Sequence, residues 1–197
     1  MEFSLTPEEA SCLSDDLFLI TKRRVVEKNV ALLFQLQEPI QDWGSTLTGE
    51  FHRLFLGSRE GKVSTGENYQ GLPYQIFDYP RIFDPENTFA LRTMIWWGRG
   101  VSTVLHLAGD VWEATKEQVL QQLLTFPNDY VVVGDDPWQH HFGPDNFVQI
   151  SALSGSELAV LADKKFFKIG QRWPLEERGF LLKRVNETVS RWSTFLR

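Results

Sequence analysis

Residues 134–145, GDDPWQHHFGPD, gather the side chains best able to do chemistry. Asp135, Asp136, His140 and His141 are carboxylates and imidazoles, the groups a divalent metal takes, and two or three protein ligands leave a position for a reactive water. They define one reading, a metal-dependent hydrolase-like enzyme. The spacing argues against it. Adjacent histidines point to opposite faces of an extended segment and diverge by about 100° on a helix, so one metal would take one of the pair unless the loop folds back. Nothing here matches H-E-x-x-H. The plainer reading is a polar connection between two strands, with Asp, Pro and Gly present as turn formers.

A second set lies on the clearest structural signal, TFALRTMIWWGRGVSTVLHLAG. Two β-branched and aromatic runs flank Gly98-Arg99-Gly100, which predicts a hairpin. A three-residue loop there puts Trp97 opposite Val101, Met94 opposite Val104 and Arg92 opposite His106. Alternation then gives Arg92, Met94, Trp96, Ser102, Val104 and His106 one face. Leu91, Thr93, Ile95, Trp97, Val101, Thr103, Leu105 and Leu107 take the other, the better core face. Asp78, in YQIFDYP, joins Arg92 and His106 if its strand pairs alongside. Arg, His and Asp together suit anion binding or proton transfer. The alternative is a hydrogen-bonded polar patch. Of the seven tryptophans, Trp97 and Trp192 fit a core, whereas Trp138 and Trp173 would rim a pocket.

Other patterns fall short. GSREGKVS has three residues between its glycines and Val63 after Lys62, which fails the phosphate-loop pattern. No G-x-S-x-G elbow occurs, and Ser154-Gly155-Ser156 reads as a helix cap. The lone Cys12 excludes an intrachain disulfide and a cysteine-based zinc site. Its neighbours bring no base or cation, so a small, at least half-buried residue near a helix end is expected. The sequon at Asn186 sits inside a helical pattern and is discounted.

The elements that must position these groups read as follows. Residues 6–38 are helical, opening with Thr6-Pro7-Glu8-Glu9 as capping chemistry, restarting at Ser14-Asp15-Asp16 and stopping before Pro39. Residues 44–73 are glycine-broken and irregular, with one short strand near residues 51–56. Asp84-Pro85-Glu86-Asn87 is a turn. Residues 109–127 form a helix, boxed by Asp110 and Glu113 or by Thr115 and Gln118. DYVVVGD, NFVQIS and FFKIGQRW are strands, with a short helix after Ser154. After Pro174, Leu181, Val185, Val189, Trp192 and Leu196 recur at helical spacing in a terminal amphipathic helix. Helices and strands do not alternate regularly, and the best strand pair is a direct hairpin. The expected fold is α+β: a single domain over residues 1–197, with a largely antiparallel sheet and helices at the N-terminus, in the middle and at the C-terminus.

Composition sets outer limits. The chain has 197 residues, 42% of them apolar, enough for a substantial core. A net charge of −6 argues against a general nucleic-acid binder. No run approaches the roughly 20 apolar residues that cross a bilayer, and the acidic start MEFSLTPEEA lacks a basic, apolar leader. A cytoplasmic protein is therefore expected. Residues 101–162 hold eight acids and one lysine, whereas residues 163–197 hold nine bases and four acids. A basic terminal element lying on an acidic middle explains that asymmetry within the molecule. A basic face turned toward a polyanion or an acidic partner is the alternative.

The lead-in FDYPRIFDPENTFALRTMIWWG and the junction FFKIGQRWPLEE resemble, loosely, small single-domain bacterial proteins of unassigned function. The resemblance runs from Gly71 onward and carries no catalytic residues over. Three readings follow from the sequence. One is a binding domain for a partner or small ligand, using Asp78, Arg92, His106 and Trp138. Another is the metal-dependent enzyme, using Asp135, Asp136, His140 and His141. The last is a structural subunit that dimerises through its C-terminal helix, which requires apolar exposure along residues 181–196.

Overall fold

Seven strands form one antiparallel sheet in the computed structural model, which describes residues 3–84 and 86–196. In chain order they are β1 (Lys62–Tyr69), β2 (Leu72–Phe83), β3 (Asn87–Trp96), β4 (Gly100–Gly109), β5 (Tyr130–Val132), β6 (Phe147–Gln149) and β7 (Phe166–Trp173). Their order across the sheet is β1-β2-β3-β4-β7-β5-β6. The helices are α1 (Pro7–Ser14), α2 (Asp16–Phe34), α3 (Gln37–Ser45), α4 (Gly49–Gly57), α5 (Asp110–Leu123), α6 (Gly155–Asp163) and α7 (Leu181–Trp192). The α+β class is as the sequence predicts.

One face of the sheet is apolar and carries the helices. Phe77, Leu91, Ile95, Leu105, Leu107, Phe167 and Ile169 are buried there with Trp112 and Trp192. Trp112 of α5 stacks on Phe167 with ring centroids 4.9 Å apart, and its indole donates to the Lys164 carbonyl. Thr93 and Thr103, the polar pair on this face, hydrogen-bond to each other at 3.0 Å. That satisfies two hydroxyls that burial would otherwise penalise. Trp97 is only half-buried, at the sheet's end, where its indole donates to Gln75.

The hairpin differs from expectation in register. Trp96 pairs with Gly100, Ile95 with Val101 and Met94 with Ser102, so the loop is Trp97-Gly98-Arg99. Arg92 lies opposite Val104, and His106 opposite Ala90. The offset is two residues, which preserves both faces because side chains alternate with period two. Gly98 at φ +69° and Gly100 at φ +138° absorb the turn.

Several local expectations are corrected. The first helical stretch breaks after Phe34, and Pro39 sits in the first turn of α3, where its missing N–H costs nothing. The region read as irregular holds α4, which buries Phe51, Leu54 and Phe55, and the polar edge strand β1. Neither expected box caps α5. Gly109 occupies the cap at φ +72°, and Asn87 Oδ1 accepts from the Val111 amide. Pro85 of the expected turn lies outside the described residues, while Asp84 Oδ1 accepts from the amides of Glu86 and Asn87. Cys12 is exposed, because α1 buries no side chain.

The apolar stripe of α7 turns inward. Leu181, Val185, Val189, Trp192 and Leu196 are all buried, so the exposure that dimerisation through this helix requires is missing. The Trp192 indole and Arg191 both donate to Asp129, a fully buried carboxylate. With the Lys164–Asp135 pair, this gives the charge asymmetry a partly internal explanation. Exposed apolar surface lies instead at the other end of the chain, where Leu13, Leu17, Phe18, Leu19 and Ile20 face solvent. No helix among the described residues is long and apolar enough to cross a membrane.

A β-carbon on Gly109 would fall 1.8 Å from the Glu86 carbonyl oxygen, in a backbone conformation that already disfavours L side chains. Gly109→Ala is expected to lower unfolding free energy by about 1–3 kcal/mol. Urea unfolding with an unchanged m-value would show it as a reduced midpoint.

Candidate functional site

The second face of the sheet joins a small apolar cluster of Val104, Val132, Phe147 and Phe166 to a row of polar groups that alternation sets side by side. Asp78 (β2), Arg92 (β3), His106 (β4) and Lys168 (β7) point the same way, with Ser102 and Arg172 further along. Asp78 lies directly opposite Arg92, and its carboxylate takes two hydrogen bonds from the guanidinium, at 2.7 and 2.8 Å. This bidentate geometry is the strong form of the pair and allows both charges to be mostly buried. His106 is a diagonal neighbour of Arg92.

Residues 133–146, between β5 and β6, fold across this face as a cover. Phe142 stacks on Phe147 and lies against Gly170, where any β-carbon would crowd its ring. Lys168 Nζ donates to the Gln139 carbonyl at 2.9 Å. Lys164 Nζ donates to the Gly134 carbonyl and to Asp135. From β1, the Tyr69 hydroxyl accepts the backbone amides of His140 at 2.8 Å and His141 at 3.1 Å, and donates to Gln139 Oε1. A loop rich in polar groups is thereby held by three separate strands and the α6–β7 junction.

The residues expected to share a metal are each engaged elsewhere. Asp135 pairs with Lys164, which holds its carboxyl below the usual range. Asp136 accepts from the Trp138 amide and the Gln139 side chain. His140 Nε2 lies 2.7 Å from Arg92. His141 Nε2 lies 3.2 Å from the Asp145 carboxylate. Among the described residues, no three His, Cys, Asp or Glu side chains are grouped to hold a metal ion.

Of the residues expected to bind a ligand, Arg92, His106 and Trp138 border a narrow notch with Phe83, Val104, His140 and Lys168, and Asp78 is linked to it only through its pair with Arg92. Trp138 forms the notch's exposed rim, edge-on to His106 at 6.1 Å between centroids. An arginine only donates, so His140 Nε2 must be the bare nitrogen of a neutral ring. Burial, and then the Arg92 charge, hold its pKa down accordingly. Burial, followed by Lys168 and Arg92, lowers His106 to about 3.

On the other side of His140 opens a wider cleft of about 300 Å³. Trp96, Arg99, Ser102, His141, Phe142 and Arg172 contribute to its walls. The Arg99 guanidinium lies over the Trp96 ring at 5.7 Å and that of Arg172 over Tyr130 at 5.2 Å. Neither has a carboxylate partner among the described residues, and the Ser102 hydroxyl has no hydrogen bond there. Sequence reasoning passed over Lys168, Arg172 and Tyr69. The alternation of FFKIGQRW does set Lys168, Gly170 and Arg172 on one face, but placing that face beside His106 needs the β4–β7 pairing. No family model matches the chain, and neither the curated proteins nor the solved structures yield a match.

Two outcomes follow. Asp78→Asn leaves the Arg92 charge mostly buried without its partner and is expected to cost about 3–5 kcal/mol, read by denaturant unfolding. The depressed imidazole adds an acid sensitivity. As pH falls below 6.5, the unfolded chain protonates His106 while the folded chain resists until about 3. Stability is therefore lost across that window as pH drops. His106→Leu is expected to flatten the urea midpoint against pH between 6.5 and 4 relative to the unaltered protein.

Proposed function

We propose that this protein binds a small anionic molecule, carrying a carboxylate or phosphate group, in the cleft beside residues 140–143. One observation carries the reading: Arg99 and Arg172 enter a single cleft of about 300 Å³ with no carboxylate of their own. Guanidinium groups match carboxylate and phosphate oxygens bidentately, and each here rests on an aromatic ring that fixes its plane. Ser102 adds a hydroxyl at the floor, Gln70 an amide at the rim, and Trp96 and Phe142 apolar walls. The volume is at the lower end of small-molecule sites. The Asp78–Arg92–His140 chain serves this reading by holding the loop that forms one wall. Metal-dependent hydrolysis has no comparable support, since Asp135, Asp136, His140 and His141 are held apart by their partners.

Calorimetric titration with inorganic phosphate, pyrophosphate and short dicarboxylates tests the proposal. Saturable binding of at least one, weakened about tenfold or more by Arg172→Ala and by Arg99→Ala, is the expected result. Added salt should weaken it further. Absence of binding across the panel, or binding indifferent to both substitutions, contradicts the reading.

A further inference from the structure

The notch on the inner side of His140 poses a different problem from the cleft. Lys168 is 1% exposed, yet among the described residues its ammonium makes one hydrogen bond, to the Gln139 carbonyl, and otherwise lies over the Phe166 ring at 5.9 Å, so two of its three N–H donors have no oxygen or nitrogen acceptor. Among the described residues no carboxylate is within ion-pair distance of it, and Arg92 brings a second cation, matched there by Asp78. Asp136, the nearest acid on the covering loop, is exposed and turned to the Trp138 amide. His106, 6% exposed, has its Nε2 buried without any partner. The notch that these groups line has a free volume of about 10 Å³, roughly the space one water needs.

Buried cations are normally paired, and buried donors satisfied. We infer that the notch is a site for a single-atom inorganic anion, a halide, held between the Lys168 ammonium and the His106 Nε2–H. The pattern of groups favours an anion over a water. Arg92 turns three of its five N–H groups to Asp78 and His140 and offers no acceptor, Lys168 offers donors only, and a neutral His106 can present an N–H at Nε2. A halide is wider than a water and fits only if the exposed Trp138 rim gives way, whereas polyatomic anions are larger again, which separates this site from the larger cleft. Bound under the loop, the ion would tie β4 and β7 to residues 138–140 and so brace the wall shared with the cleft. Without a counter-charge in contact, the buried lysine holds its proton less tightly. Burial, then the Arg92 charge, lower it to about 7 from 10.5. In that state the unfolded chain carries the extra proton between pH 7 and 10.5, and stability rises with pH there. A bound halide raises the folded value and flattens the rise.

Crystals of the unaltered protein grown in sodium bromide give the direct test, by anomalous scattering. A bromide peak in the notch within contact of Lys168 Nζ and His106 Nε2 is expected. In solution, the melting temperature at constant ionic strength should climb as chloride replaces a large organic anion. That climb should vanish in Lys168→Met and persist in Arg172→Ala, which removes the cleft's charge and leaves the notch intact. An absent peak, or a halide response unchanged in Lys168→Met, overturns the inference and assigns the space to water. Should Lys168→Met fail to fold, the bromide peak decides alone.

The exposed N-terminal helices carry a second inference. Leu17 is 74% and Leu13 68% exposed, with Phe18, Leu19 and Ile20 beside them, and α1 buries nothing. Leu17 and Ile20, one turn apart, share a face with Arg24, and exposed apolar side chains so grouped mark an interface. Its charges identify the occupant. Residues 6–16 carry Glu8, Glu9, Asp15 and Asp16 with no base, whereas Lys22, Arg23, Arg24 and Lys28 follow along α2, Lys22 paired with Glu67 and Arg23 with Glu27. Arg24 and Lys28 have no ion-pair partner among the described residues. The surface is thus complementary to itself when reversed, as a two-fold interface requires. We propose that a second copy of this chain covers it, α2 running antiparallel to α2 with Asp16 of one copy beside Arg24 of the other. Sedimentation equilibrium of the full chain should give a dimer that Leu17→Glu dissociates. Asp16→Lys and Arg24→Glu should each weaken it, and the double variant should recover it. A monomer at all concentrations, or a dimer indifferent to Leu17→Glu, sinks the proposal. So does a double variant no better than its parents.

Discussion

Arg92 is a cation in the middle of a seven-stranded sheet, and much of the polar face is organised around it. A charge so placed is tolerated only with a partner of good geometry. Asp78 supplies that partner from the adjacent strand, in direct register and with two hydrogen bonds. One nitrogen remains, and it is satisfied by His140. The loop must therefore come down onto the sheet at that point, with a neutral histidine. The His140 and His141 amides reach Tyr69, Phe142 fills the space that Gly170 leaves open, and Gln139 meets Lys168. The cleft and the notch are the two spaces left on either side of His140.

This arrangement divides the sheet by chemistry. The helical face is stabilised by burial of aromatic and aliphatic area, and it needs little specificity beyond shape. The loop face adds directed polar contacts, each costly to break alone, to a small apolar cluster around Phe142, Phe147 and Phe166. Arg99 and Arg172 sit where the loop cover ends, exposed and resting on aromatic rings, while Arg92, further in, is committed to structure.

How much of this was legible in the sequence depended on whether local pattern or tertiary pairing decided it. The α+β class, the hairpin, its two faces and the terminal helix all follow from short-range periodicity. The proximity of Asp78 to Arg92 was legible as well, because YQIFDYP reads as a strand leading into the hairpin. The exact register was not. The loop shifted by one residue and the pairing by two, a change that alternation cannot detect. Helix α4 was hidden by flanking glycines, although Phe51, Leu54 and Phe55 carry helical spacing. Strand β1 was hidden because an edge strand has no buried face to impose alternation. The acids and histidines of residues 135–141 drew attention by type. Their partners, Lys164, Arg92 and Tyr69, lie about 30 to 70 positions away, beyond the reach of spacing arguments.

The most direct measurement follows the arginine side chains by ¹⁵N–¹H NMR through their Nε–Hε signals during titration with inorganic phosphate. Saturable shifts at Arg99 and Arg172, with Arg23 and Arg53 in their surface ion pairs unmoved, are the predicted result. Arginine signals that drift together with ionic strength, or that do not move, would contradict an anion-binding cleft.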